Sequence, residues 1–243
     1  MVPLKVDLHL HTRFDPLDGG TSATIDPMDL LRMAKEKGFD ALSITHHDEI
    51  FKNDSVWAEA ERLGILLIPG VERTIEGKHV LLYNVDEIDG IQTLKDLRRI
   101  DRERSLIIIP HPYYYAYSCM GLIKTVLKGC YDALEVSHFY TPWFNRNLPA
   151  VQYAHEEGIS LIGSSDAHIP IQFGTTFSIV NANEKSIAGV FEAVKLGRVE
   201  VVTRPLTMDE VISILIKMAN VQSVTRLLKW FAIKTQLLKG KFN

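Results

Sequence analysis

The segment Lys5-Val6-Asp7-Leu8-His9-Leu10-His11 alternates polar and apolar side chains, and a strand's period of two puts Asp7, His9 and His11 on one face. Two imidazoles at that spacing converge on a point, as a divalent transition metal requires. The same i, i+2 pairing recurs in Asp166-Ala167-His168, shortly after the apolar run 159–163. Other ligand-type residues stand in the same relation to apolar runs. His46-His47-Asp48 follows 41–45, Glu72 in Gly70-Val71-Glu72 follows 65–69, His111-Pro112 follows 106–110, and His138 follows 133–137. His79 opens a run, 79–84, instead of closing one, and reads equally as a ligand or as a satisfied strand histidine. Asp18, in Leu17-Asp18-Gly19-Gly20, reads by itself as a turn aspartate.

These residues need elements that bring them to one place. Eight short apolar runs read as strands, at 4–9, 41–45, 65–69, 79–84, 106–110, 133–137, 159–163 and 176–181. Helix signals alternate with them. Asp26 is a helix cap with Pro27 at the first position and Gly38 past the end, Ser55 and Gly64 flank a second helix, and 143–158 carries a third. Seven or eight βα units predict an α/β fold in which residues 1–206 form a TIM-like barrel. In such a barrel the strand exits share one rim, where catalytic groups collect and where a purely structural histidine has no reason to cluster.

The blocks Asp7-Leu8-His9-Leu10-His11-Thr12 with Asp18-Gly19, Ile44-Thr45-His46-His47-Asp48, Gly70-Val71-Glu72 with His79, His111-Pro112, and Ser165-Asp166-Ala167-His168 occur in the order in which the polymerase and histidinol phosphatase (PHP) family carries them. The chain resembles that family over roughly residues 5–205. The resemblance implies a distorted (βα)7 barrel and a metal-dependent phosphoesterase holding up to three divalent ions. It also implies three ligand sets: His9, His11, Glu72 and Asp166 for one ion; Glu72, bridging, with His79 and His111 for the second; Asp18, His47 and His168 for the third. His9, His11, Glu72, Asp166 and His168 would then act catalytically through a metal-activated water. One position departs from the family pattern, which usually has Asp where this chain has His46, and no metal is assigned to it.

Six histidines with three carboxylates favour zinc, manganese or iron over calcium or magnesium, which prefer oxygen-rich sites. Three such ions against three carboxylates leave a charge of about +3, which attracts an anionic substrate such as a small phosphoester. Other chemistries lack their signatures: there is no Gly-x-Ser-x-Gly elbow, no Gly-x-Gly-x-x-Gly turn and no Walker loop. Arg13 and Arg204 are candidate phosphate contacts, with a salt-bridged loop arginine as the plainer reading of each. His138 is balanced between substrate contact and rim polarity. The tyrosine-rich stretch 112–118 offers base stacking or simple packing.

Charge separates the enzyme readings. The chain has 27 Lys and Arg against 30 Asp and Glu, for a net charge of -3. The segment 207–243 carries about +4 of this, leaving about -7 on 1–206. With no basic field for a nucleic-acid backbone, stable nucleic-acid binding is not expected. A phosphomonoester or nucleotide phosphatase is therefore the leading expectation. A 3′ to 5′ exonuclease or oligonucleotide-trimming phosphodiesterase and a non-catalytic metal-binding scaffold are the alternatives.

The segment 207–243 reads as a basic amphipathic helical extension. It is expected to pack on the barrel or on a second subunit in a homo-oligomer, with binding to a membrane surface as the alternative. Its apolar stretch is interrupted by Lys217 and is too short for a transmembrane segment, which needs roughly 18–20 residues. Cys119 and Cys130 are the only cysteines and the N-terminus has no secretory pattern, so a cytoplasmic setting is expected.

Overall fold

The computed structural model describes residues 1–114, 118–121, 127 and 129–218. Among the described residues, ten strands form two five-stranded sheets. The first has the order β10-β9-β1-β2-β3 and the second β4-β5-β6-β7-β8. In chain order the strands are β1 (Val2–Leu10), β2 (Ala41–Ile44), β3 (Leu66–Leu67), β4 (Gly70–Ile75), β5 (Lys78–Tyr83), β6 (Leu106–Ile109), β7 (Ala133–Ser137), β8 (Ser160–Ser164), β9 (Thr176–Ala182) and β10 (Val199–Thr203). The fold is thus α/β, as the alternation predicts. The βα pattern is parallel only in part. β1-β2-β3 and β6-β7-β8 pair in parallel, whereas β4-β5, β5-β6, β1-β9 and β9-β10 are antiparallel.

The run 65–69 yields only the two-residue β3, and β4 and β10 lie outside the expected runs. β4 and β5 form a hairpin closed by Glu76 and Gly77, both at positive φ (49° and 75°). That is the primed two-residue turn whose twist matches the flanking strands. Nothing in the apolar pattern of 70–83 announces this reversal, yet it decides which end of β5 meets the rim.

Among the described residues, no continuous backbone ladder joins the sheets into a closed barrel. They meet at two seams. At one, the Ser178 Oγ on β9 accepts from Gly163 N at 2.7 Å and donates to Gly163 O at 3.1 Å. A Cβ on Gly163 would stand 2.7 Å from Val201 Cγ1 and 2.9 Å from Phe177 O, so only glycine allows β8 this close to β9 and β10. At the other seam Glu72 N donates to His46 O at 3.1 Å, and Asp48 N donates to Glu72 O at 2.9 Å. The Tyr83 hydroxyl of β5 also crosses between sheets, donating to Leu8 O of β1 at 2.8 Å.

Helices cover the sheets. α1 (Pro27–Glu36) begins as predicted, with the Asp26 carboxylate accepting from Met28 N. α2 (Asp54–Leu63) is capped by Asn53, two residues ahead of the Ser55 signal, and ends at Gly64 in the left-handed conformation. Leu30, Leu31 and Ala34 of α1 and Val56 and Ala60 of α2 pack on Leu42 and Ile44 of β2. α3 (Leu148–Glu157) starts five residues later than the expected 143–158, since Thr141–Asn147 is turned backbone, with Thr141 N donating to Phe144 O. α4 (Ile187–Lys195) places Val190, Phe191 and Val194 in the cluster that joins β1, β5, β6, β8 and β9. α5 (Met208–Met218) begins the C-terminal extension. Its Ile214 is buried against Ile169 and Leu206, while Ile212, Leu215 and Ile216 are exposed. The expected continuation of this helix beyond residue 218 lies outside the described residues. Among those described, no helix is long and apolar enough to cross a membrane.

Candidate metal centre

β1 is buried from Val6 to Leu10, a central strand whose polar face carries Asp7 and His9 into the interior. His11 follows one residue past its end. The neighbouring exits supply His47 beyond β2, His111 beyond β6, and Asp166 and His168 beyond β8. Glu72 comes from β4. His79 is the second residue of β5 and pairs with Thr74, two residues along from Glu72 and on the same face. The hairpin therefore turns the start of β5 toward the place where the parallel strands end, which resolves the odd position of His79 in the sequence.

Four atoms form a compact cage. His9 Nε2 lies 3.1 Å from His11 Nε2, 3.3 Å from Glu72 Oε2 and 3.4 Å from Asp166 Oδ1. His11 Nε2 lies 3.2 Å from Glu72 Oε2 and 3.3 Å from Asp166 Oδ1. His9 Nε2, His11 Nε2 and Asp166 Oδ1 form a triangle whose centre lies about 2 Å from each atom, near the coordination distance of zinc to nitrogen and oxygen. The other oxygen of Glu72 faces a second group: Oε1 is 2.6 Å from His79 Nδ1 and 3.3 Å from His111 Nε2. Asp166 Oδ1 and His79 Nδ1 are buried without a hydrogen-bond partner despite these short separations. Opposed ligand atoms close together but not hydrogen-bonded are what a cation between them would reconcile, so the residues fit divalent metal.

The third expected set assembles differently. Asp18 Oδ2 is 3.1 Å from His168 Nε2. His47 instead points Nε2 at Glu72 Oε2, 3.2 Å away, and its nearer approach to Asp18 is 3.9 Å through Nδ1, a nitrogen already held by Asp15. His11, His47 and Glu72 thus converge as a group of their own.

Two residues that the sequence reading passed over orient the rings. Asp15 Oδ2 accepts from His11 Nδ1 at 2.8 Å and from His47 Nδ1 at 3.1 Å. Glu135 Oε1 accepts from His9 Nδ1 at 2.9 Å. A carboxylate can only accept, so each ring is protonated at Nδ1 and leaves Nε2 as the nitrogen that faces the cage. Glu135 carried a signal, being a charged residue inside the apolar strand 133–137. Asp15, in a turn four residues after His11, carried none.

Burial opposes every charge here, and the neighbours overrule it. Burial alone would raise Glu72 and Asp166, but His9 and His11 hold both well below the usual carboxylate range. Burial would lower His9 and His11, but Asp166, Glu72 and their outer carboxylates Glu135 and Asp15 hold them well above the ordinary imidazole value. Asp166 and His111 also hold positive φ (46° and 30°), a backbone strain of the kind that clusters at functional sites.

Beside the cage is a cleft of about 250 Å³ lined by the candidate ligands His47, Glu72, His79, His111, Asp166 and His168 with Tyr114, Ser118, Cys119, Ser137 and Phe139. The candidate substrate residues are not in it. Arg13 is paired with Asp26 at 2.8 Å and lies over the Phe14 ring, and Arg204 makes a two-pronged contact to Glu210 at 2.6 and 2.9 Å. The plainer reading of both arginines fits these contacts. His138 is buried with Nε2 3.1 Å from Gln172 Nε2, and Gln172 Oε1 accepts from His168 N and Ile169 N. His138 therefore braces the backbone of a ligand residue instead of facing the cleft. Burial pushes it down to about 4, so it is neutral. His46, also pushed down to about 4 by burial, contacts Thr12 Oγ1 at 2.8 Å and turns away from the cage.

Comparison with known proteins places the fold among similar ones. A two-domain protein from Bacteroides vulgatus containing a predicted PHP-like metal-dependent phosphoesterase has a similar structure, with a TM-score of 0.67, 25% identity, and coverage of 89% of this chain and 70% of that one. PsfC from Pseudomonas syringae shares the fold, with a TM-score of 0.60, 20% identity, and coverage of 89% and 98%. In sequence, the uncharacterized protein MJ1587 of Methanocaldococcus jannaschii is 27% identical over 144 residues, spanning 56% of this chain and 83% of that protein. The PHP domain model matches residues 7–194, a span that begins at Asp7 and encloses every residue of the histidine and carboxylate cage, so the chain belongs to the PHP domain family.

Proposed function

We propose that this chain hydrolyses small phosphoesters, phosphomonoesters or nucleotides foremost, at a site that holds up to three zinc, manganese or iron ions. The observation that carries the reading is the double-facing Glu72 carboxylate, with Oε2 toward His9, His11 and His47 and Oε1 toward His79 and His111. One carboxylate between two imidazole groups suits adjacent ions on a single substrate. When bound, such ions polarise a phosphoryl oxygen and lower the pKa of a coordinated water.

The chain's own residues do the rest. Asp15 and Glu135 fix ring orientation, so the ligand lone pairs are aimed before substrate arrives. Tyr114 is held in the cleft wall by its hydroxyl, which donates to Phe139 O at 2.8 Å. The two outer carboxylates also change the charge balance: counted with the three ligand carboxylates, they bring a three-ion site from about +3 to about +1, still favouring an anion. A cleft of about 250 Å³ suits a terminal phosphate with a small leaving group. The seams at Ser178 and Glu72 support a distorted barrel closed by side chains and single bridges.

The test is a substrate panel run on metal-reconstituted protein at stated ionic strength. Hydrolysis of small phosphomonoesters or mononucleotides, abolished by chelator and by Asp166→Ala, is expected. Processive degradation of oligonucleotides with monoesters untouched would replace this reading by the nuclease, and cleavage of neither would replace it by a metal-binding scaffold.

A further inference from the structure

The inward-facing imidazoles differ in what holds their outer nitrogen. His9 uses Glu135, His11 and His47 use Asp15, and His168 uses the carbonyl of Asp166 at 2.9 Å. His111 alone uses a thiol: its Nδ1 is 3.3 Å from Cys119 Sγ, while its Nε2 faces Glu72 Oε1 at 3.3 Å. The His111 backbone is fixed separately, its N–H donating to Glu135 Oε2 at 2.9 Å. Rotation of the ring is what remains free, and Cys119 is the contact that sets it. The residue before it is tied to the backbone of the other histidine of the same group, since Ser118 O accepts from the His79 backbone N–H at 2.9 Å. Two adjacent residues of one loop thus reach both histidines that face Glu72 Oε1. Cys119 is buried and lines the cleft.

A thiol is a weaker acceptor than a carboxylate and in that form brings no negative charge, so it adds less basicity to the nitrogen across the ring. We propose that Cys119 is the positioning residue of His111 and that its thiol makes the Glu72, His79 and His111 group a more weakly held metal position than the cage of His9, His11, Glu72 and Asp166. This rests on the reading of the site as a metal centre and adds an order of affinities and the residue that sets it.

Calorimetric titration of the chelator-treated full chain with zinc tests it. Wild type should show a tighter class of sites and a weaker class that His79→Ala removes. Cys119→Ala should loosen the weaker class alone, by about 10- to 100-fold, the usual cost of losing a ligand's outer partner. Cys119→Ser, nearly the same size and still an acceptor, should restore it. An unchanged weaker class in Cys119→Ala, or a loss confined to the tighter class, would overturn the proposal. NMR of the metal-free chain gives a second readout: a slowly exchanging His111 Nδ1–H resonance is expected in wild type and Cys119→Ser and not in Cys119→Ala. If wild type takes up no zinc, the phosphoesterase reading fails along with the order of affinities. If zinc binds but the resonance is unaffected by Cys119→Ala, only the role of Cys119 fails.

Discussion

Glu135 on β7 and His9 on β1 meet at 2.9 Å with both side chains fully buried. The same carboxylate receives the His111 backbone N–H through its other oxygen. It therefore couples β1 to the exit of β6 and prepares two ligands at once. Glu135→Ala should leave His9 Nδ1 and His111 N without partners and lower zinc affinity by about 10- to 100-fold. It should also cost about 1–3 kcal/mol of stability per stranded donor. Zinc titration and chemical denaturation read both effects; full affinity in this variant would remove Glu135 from the metal centre.

Glu72→Ala should do more harm than His47→Ala. Glu72 faces five imidazoles through two oxygens, whereas the partners of His47 are Glu72 and Asp15. Elemental analysis after reconstitution should find at least one more metal equivalent missing in Glu72→Ala than in His47→Ala. Equal losses would count against a bridging role.

His138 gives a pH signature. Burial lowers it from 6.5 to about 4, against the nearby charge of Asp166 and with the help of His168, His9 and His111. The unfolded chain therefore takes up this proton first as pH falls. His138's contribution is fully present above about 6.5 and is lost between about 6.5 and 4, reaching about 3 kcal/mol at the lower end. In metal-free protein the stability difference between wild type and His138→Gln should shift against wild type across that window. A difference independent of pH would mean that His138 titrates normally.

Arg13→Ala and Arg204→Ala should leave KM within about twofold of wild type, because both guanidinium groups are engaged by carboxylates away from the cleft. Their exposed ion pairs should be worth less than about 1 kcal/mol. A tenfold rise in KM for either variant would return it to the substrate site.

Much of the centre is legible from residue order. Strand periodicity places Asp7, His9 and His11 on one face, since successive side chains alternate whatever the rest of the chain does. Asp26 with Pro27 starts α1 by local hydrogen bonding alone. The strand-exit positions of His47, His111 and Asp166 follow from the βα pattern, because parallel strands end on the same side. These are short-range consequences, and the sequence determined them by itself.

The orientation of the rings is another matter. His9 and Glu135 are 126 residues apart, and no local periodicity pairs them; only the meeting of the two sheets does. His79 reaches Glu72 because a two-residue turn reverses β5, a choice made by backbone dihedrals at Glu76 and Gly77. His47 turns toward Glu72 instead of Asp18 because Asp15, folded back by its own turn, captures its outer nitrogen. Arg13 and Arg204 pair with Asp26 and Glu210, acids whose proximity the chain order left open. Residue type and spacing decided which side chains arrive at the rim. Directional hydrogen bonds between segments far apart in sequence, formed only in the folded state, decided what each one faces there.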